Sequence, residues 1–151
     1  SGTASTGSFR GPGGSSTGSL QFDIRNTEST ARTITGFELR TAGSATDLSY
    51  DGPPPVNTEP GKDEVYIDAT GGATDSEGAA EASRGVSGYE IGTGTAYALD
   101  QSVTLDAGET ARVSLYQFVT NGQPTALGSG DTVELTLSFQ DGSEATVSVT
   151  V

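Results

Sequence analysis

The chain has no cysteine, histidine, methionine or tryptophan, and its only lysine is Lys62. Each absence removes a class of chemistry. Without cysteine there is no disulfide framework, thiol nucleophile or thiolate metal site. Without histidine neither an ordinary Ser-His-Asp triad nor the usual zinc ligand sets can be built. Without methionine the chain lacks an initiator, so Ser1 is expected to be a processed start. No run approaches the ~18 apolar residues a membrane-spanning helix needs, so this chain is not expected to insert directly into a membrane.

Motifs that imitate catalysis fail on context. Gly14-Ser15-Ser16-Thr17-Gly18 spells Gly-x-Ser-x-Gly, but it lies in a Ser/Gly tail with no strand before it and no helix after it. Gly92-Thr93-Gly94 and Gly128-Ser129-Gly130 are too short for nucleotide loops, and no Walker lysine follows. With 20 acidic residues, chance carboxylate pairs are expected on a solvated surface, so no enzyme is expected. Asn26-Thr27-Glu28, Asn57-Thr58-Glu59 and Asn121-Gly122-Gln123 all miss the N-glycosylation sequon, which leaves Ser/Thr glycosylation open.

Charge comes next. Twenty acidic against seven basic residues give a formal net charge of −13. That balance argues against nucleic acid and against anionic membrane surfaces. Leu, Ile, Val and Phe together make 28 of 151 residues, near the ~20% level that, with high charge, marks disordered chains. Patterning decides for a folded domain, because the apolar residues recur at every second position in several runs. Acid excess with lysine nearly absent then reads as adaptation to concentrated salt. At ~1 M salt the Debye length is only ~3 Å, so the carboxylates repel one another weakly.

Residues 1–19 are almost wholly Ser, Gly and Thr, with Phe9, Arg10 and Pro12 as the bulky exceptions. Residues 20–151 read as one domain of ordinary size. Leu20-Gln21-Phe22-Asp23-Ile24-Arg25 alternates as a half-buried strand does, and Asn26–Thr30 is turn chemistry. From Arg32 to Thr41 the apolar parity switches between Ile34 and Phe37, which predicts a bulge near Gly36. Val65 and Ile67 mark a short strand, whereas Ala69–Gly88 has no period and reads as a surface loop with one helical turn at Ser76–Ser83.

Alternation returns at Tyr97, Leu99, Val103 and Leu105, and again at Val113, Leu115, Phe118 and Val119. Asp106-Ala107-Gly108 between them fits either a hairpin loop or a crossover between sheets. In the last hairpin a two-residue Asp-Gly turn would set apolar against polar residues. A three-residue loop, Gln140-Asp141-Gly142, pairs Leu137 with Ala145 and Leu135 with Val147, and puts Gly142 at the left-handed position. The expectation is an all-β, immunoglobulin-like β-sandwich of about seven to nine antiparallel strands, carrying an extended N-terminal tail.

Three stretches, "LQFDIRNTESTARTITGFEL", "YALDQSVTLDAGETARVSLYQF" and "GDTVELTLSFQDGSEATVSVTV", together resemble the globular β-domains of haloarchaeal secreted surface proteins, including pilins and archaellins. The shared features are strand, Asn-Thr turn, strand; Leu-x-x-Gly-Glu-Thr; and an Asp-Gly hairpin. The resemblance implies a surface location outside the cell and assembly with copies of itself. One departure matters: pilins and archaellins polymerise through an N-terminal hydrophobic helix, and none is present in this sequence. Strand donation is the alternative, with the tail as donor and Ala4 and Phe9 as its anchors. A monomeric adhesion or tethering module, bound to an S-layer or to glycans, is the competing expectation.

Calcium is the inorganic ligand the sequence suggests, because Asp68, Asp75 and Glu77 flank a Gly-rich stretch and hard cations seek such oxygens. Their spacing does not match an EF-hand. Tyr50, Tyr66, Tyr89, Tyr97 and Tyr116 are scattered and read as packing more readily than as a sugar platform. Lys62, beside Asp63 and Glu64, reads as an ion pair more readily than as an isopeptide donor.

Overall fold

Leu20, Phe22 and Ile24 turn inward and are buried, while Gln21 and Asp23 lie half-buried and Arg25 is exposed. The alternation read in sequence is therefore the alternation of a sheet with one face on a core. The computed structural model describes residues 5–7, 10–11, 14–15, 20–48, 65–69, 79–82, 88–115 and 118–151. Among them no helix occurs, and none is long and apolar enough to cross a membrane.

Two large antiparallel sheets carry the core. The first runs β1(Ser5–Gly7)–β4(Leu20–Arg25)–β11(Thr110–Leu115)–β7(Val65–Asp68)–β8(Ala79–Ala82). The second runs β10(Tyr97–Leu105)–β5(Arg32–Ala42)–β14(Thr132–Phe139)–β15(Glu144–Thr150). A small third sheet joins β13(Gln123–Pro124), β12(Phe118–Thr120), β6(Asp47–Leu48) and β9(Tyr89–Glu90), and β2(Arg10–Gly11) pairs with β3(Gly14–Ser15). Among the described residues eight strands run for four residues or more and seven for two or three, so the total exceeds the seven to nine expected.

Phe22, Ile24, Val113, Leu115, Val65 and Ile67 of the first sheet share one hydrophobic cluster with Ile34, Phe37, Leu39, Leu135 and Leu137 of the second. Each such side chain, taken fully out of water, contributes about 1.5–3 kcal/mol. Phe37 also packs edge-on against Tyr89, with ring centroids 5.0 Å apart, which ties the small sheet to the large one.

The final hairpin has the register expected of a three-residue loop, Leu137 opposite Ala145 and Leu135 opposite Val147, with Gly142 at φ 85°. Ala79–Ala82 differs from expectation. It is a strand paired with β7, not a helical turn. Small side chains carry no periodic signal, and main-chain pairing needs none.

The chain passes between the two large sheets at two corners, from β4 to β5 and from β10 to β11, and both passages meet at Asn26. Asp106-Ala107-Gly108 is thus a crossover and not a hairpin loop. The Asn26 main-chain N–H donates to the Glu109 carbonyl at 2.9 Å, and its carbonyl accepts from the Gly108 N–H at 2.8 Å. The side-chain Nδ2 donates to the carbonyls of Thr30, Leu105 and Asp106 at 2.9, 3.0 and 3.1 Å. Its Oδ1 accepts from the Glu28 N–H at 3.0 Å. The opposing corner is closed by Glu109, whose carboxylate accepts the Asp106 N–H at 2.6 Å.

Gly36 marks the bulge. β14 skips a residue on β5 between the Ser138–Gly36 and Phe139–Ile34 pairs. A Cβ at Gly36 would meet the Tyr97 carbonyl oxygen at 2.6 Å, too close for any side chain. Gly36→Ala is therefore expected to cost about 1–3 kcal/mol, as an overpacked core position does. Chemical denaturation at molar salt checks it, and an unchanged midpoint would show that β5 and β10 can separate without loss.

Candidate functional site: a seam of sheet edges

One side of the molecule is a seam where the β1–β4 edge of the first sheet lies beside β15 of the second. On that side β1 adds to β4 antiparallel, with Ser5 opposite Asp23, Thr6 opposite Phe22 and Gly7 opposite Gln21. The N-terminal segment is thus an added strand, joined to the sheet by main-chain pairing.

β15 pairs with β14 without interruption from Thr150 back to Glu144 and, among the described residues, has no strand on its other side. In an antiparallel ladder, hydrogen-bonded and non-bonded pairs alternate. Val151 donates to the Asp131 carbonyl and Phe139 to the Ser143 carbonyl, so the odd-numbered residues of β15 bond to β14. The N–H and C=O groups of Glu144, Thr146, Ser148 and Thr150 therefore point away from the sheet. Their side chains are exposed, whereas Val147 and Val149 are buried.

Edges are usually blunted by charge, proline, bulges or cover. β4 is covered by β1, and β10 carries a register break between Ala98 and Val103. At the far side of the molecule β8 lies close against β10. β15 has no proline, lysine or bulge and only one carboxylate, Glu144.

The hairpin end of the seam is clamped by Arg32. Its guanidinium carbon sits 3.9 Å from the centroid of the Phe139 ring. It donates to the Ser143 hydroxyl and lies 3.9 Å from an Asp141 carboxylate oxygen. Behind this clamp a slot of about 40 Å³ opens between the sheets, with Ile24, Ile34, Leu137 and Val147 along its walls and Arg25 and Arg32 at its mouth. That volume admits a few water molecules and no organic ligand of ordinary size.

Away from the core, a row of charge crosses the first sheet. Asp23 on β4 and Asp68 on β7 flank Arg112 on β11 in direct register. Arg112 Nε donates to Asp23 Oδ1 at 3.0 Å. That hydrogen bond, the charge of Asp23 and the more distant charge of Asp68 all raise the guanidinium pKa.

Asp68, a calcium candidate, is fully buried in this row. Asp75 and Glu77 lie outside the described residues, as do Ala4, Phe9 and Lys62. Among the described residues no three His, Cys, Asp or Glu side chains cluster as metal ligands would. Tyr50 and Tyr116 also lie outside the described residues. Tyr66 and Tyr89 are buried, and Tyr97 packs 4.8 Å from Tyr89 while its hydroxyl accepts the Glu90 N–H at 3.1 Å. These three rings serve packing. The seam itself was not expected from sequence, although the unbroken Glu144–Thr150 alternation, with no proline and no charge past Glu144, was its readable sign.

No family model, curated protein or solved structure matches the chain. The functional reading therefore rests on the residues and their geometry.

Asp141 gives the seam a measurable pH response. Hydrogen bonds from the Ser143 hydroxyl and N–H, with a smaller contribution from Arg32, hold its carboxyl below the usual aspartate range. A lowered folded-state pKa stabilises the loop above the unfolded value of about 3.9, and that contribution disappears as pH falls through the lower folded value. An NMR titration of the Asp141 carboxyl should place its midpoint below that of an unfolded aspartate, and Ser143→Ala should move it up. A midpoint at or above the ordinary value would contradict the described hydrogen bonds.

Proposed function

We propose that this chain is an extracellular structural subunit of a salt-adapted organism, a haloarchaeon, that assembles into filaments by main-chain pairing between sheet edges. We read its two large sheets as an immunoglobulin-like sandwich, with β4, β11 and β7 facing β5, β14 and β15. The observation that carries the proposal is the pairing of Ser5–Gly7 with β4. A three-residue strand of sequence Ser-Thr-Gly carries little apolar surface of its own, so its affinity for that edge is expected to come from backbone hydrogen bonds. Such bonds form equally well with the same segment of a neighbouring subunit, and exchange of an identical strand is a low-cost route to assembly. Once the short β2–β3 pairing opens, the twelve residues between Gly7 and Leu20 span at most about 40 Å, the reach available for crossing to a neighbour's edge.

The net charge of −13 fits this setting. In concentrated salt, carboxylates on adjacent subunits are screened at separations beyond a few ångströms. Pairing of neutral backbone groups is then the contact least disturbed by salt.

A second reading is favoured by the same strand taken the other way. Because Ser5–Gly7 caps β4 of its own chain, the domain can complete its first sheet without a neighbour and serve as a monomeric surface module that binds an S-layer or glycans. Negative-stain microscopy at molar salt separates the two. Filaments from the intact chain and none from a chain lacking residues 1–18 are expected. Folded monomers from the intact chain would contradict the filament and support the module.

A further inference from the structure

We infer that the open edge of β15 is a self-association surface, on which two copies of this chain join antiparallel about a two-fold axis at Val147. The inference rests on the structural role above, to which it adds a second contact, since a two-fold pairing closes on itself and extends into a filament only together with strand exchange at β4. Four observations converge on a second copy as the occupant.

The first is backbone geometry. Glu144, Thr146, Ser148 and Thr150 offer their N–H and C=O groups outward, and hydrogen-bonded pairs across a new antiparallel ladder must join these even-numbered residues. A two-fold axis through Val147 sets Glu144 opposite Thr150 of the second copy and Thr146 opposite Ser148. Every residue of the strand is then paired, with about eight main-chain hydrogen bonds. Shifting the register by two residues in either direction leaves strand ends unpaired.

Charge is the second. The chain carries 20 acidic residues, yet this edge holds one, and in the symmetric register each Glu144 meets a threonine. No carboxylate faces a carboxylate across the new ladder. A strongly acidic partner surface or an anionic polymer would gain nothing from this edge.

The third concerns the inward face. Ala145 is half-buried and lines the slot with Val147, whereas Val149 is buried further along. In the symmetric pairing Val147 meets Val147 as a non-bonded pair, with Cα atoms about 4.5 Å apart. Ala145 meets Val149 on either side, so the apolar face of the second sheet continues from one copy into the other. Last, among the described residues β15 lacks the cover that β4 has and the register break of β10.

Single-cysteine cross-linking tests the register, since the chain has no cysteine of its own. Val147→Cys places a thiol on the proposed axis. Glu144→Cys places it on the same strand, but the two copies of residue 144 would lie on the order of 20 Å apart. Under a mild oxidant at molar salt, Val147→Cys should run predominantly as a disulfide dimer on a non-reducing gel, while Glu144→Cys stays monomeric. Cross-linking of neither, of both, or of Glu144→Cys alone overturns the proposal.

Should Val147→Cys not fold, sedimentation of Thr146→Pro replaces it. That substitution removes an outward N–H and leaves the main-chain bonds to β14 in place, giving up only the 2.9 Å contact between the Thr146 and Thr136 hydroxyls, so it should shift the folded chain towards the single-chain mass. No shift overturns the contact. Filaments seen without a cross-link in the Val147→Cys variant refute the β15 contact and leave the structural role intact. A cross-link without filaments upholds the contact and removes the filament.

Discussion

Asn26 joins the two places where the chain changes sheets. Its amide supplies donors to one carbonyl of its own turn and two of the opposing corner, while its backbone bonds to Gly108 and Glu109. The residue is 7% exposed, so these partners replace nearly all of its water. The two large sheets are held face to face mainly by apolar contact, which is strong and indifferent to direction. The corner supplies direction. It fixes where β4 ends, where β5 and β11 begin, and hence which edges end up side by side on the seam.

The seam follows from that arrangement. Once β4 and β15 lie at the same side of the molecule, the first sheet has an edge filled by three tail residues and the second, among the described residues, has an edge with no strand upon it. Most of the surface charge is repulsive between copies of the chain, and concentrated salt removes much of that repulsion without supplying an attraction. Backbone groups and a short apolar face supply one. In the assembly proposed above, a chain this acidic with an edge this neutral would keep solubility and association in different parts of one surface.

Much of the strand pattern was legible in the sequence, for local reasons. Leu20–Arg25 and Thr132–Thr150 alternate because each strand has one dry face and one wet face. The parity switch around Gly36 disclosed a bulge, because an extra residue must reverse the sides. Gly142 announced its loop through the left-handed backbone that glycine adopts most readily. Asn121-Gly122 carries a similar signal, hidden because no long alternating run flanks it. Both residues have positive φ, 51° and 79°, and turn β12 directly into β13.

What escaped the sequence depends on distant partners. Asn26 read only as turn chemistry, since two of its acceptors lie 79 and 80 residues away. The Asn-Thr turn and the Leu-x-x-Gly-Glu-Thr motif looked like separate generic features, yet Asn26 and Leu105–Glu109 form a single corner. The strand Ala79–Ala82 escaped because a segment rich in alanine carries no apolar alternation, and the tail, read as a strand donor to a neighbour, pairs through Ser5–Gly7 with β4 of its own chain.

Asn26 holds the crossing of the two sheets, and equilibrium denaturation of Asn26→Ala and Asn26→Asp at molar salt measures how firmly. Removing the amide strands the Leu105 carbonyl in a buried setting and should cost about 2–4 kcal/mol. The aspartate should lose at least as much, because its carboxylate would face the carbonyls of Thr30, Leu105 and Asp106 with no donor to offer. If both variants unfold at the midpoint of the parent chain, the corner is incidental and apolar packing alone sets the fold.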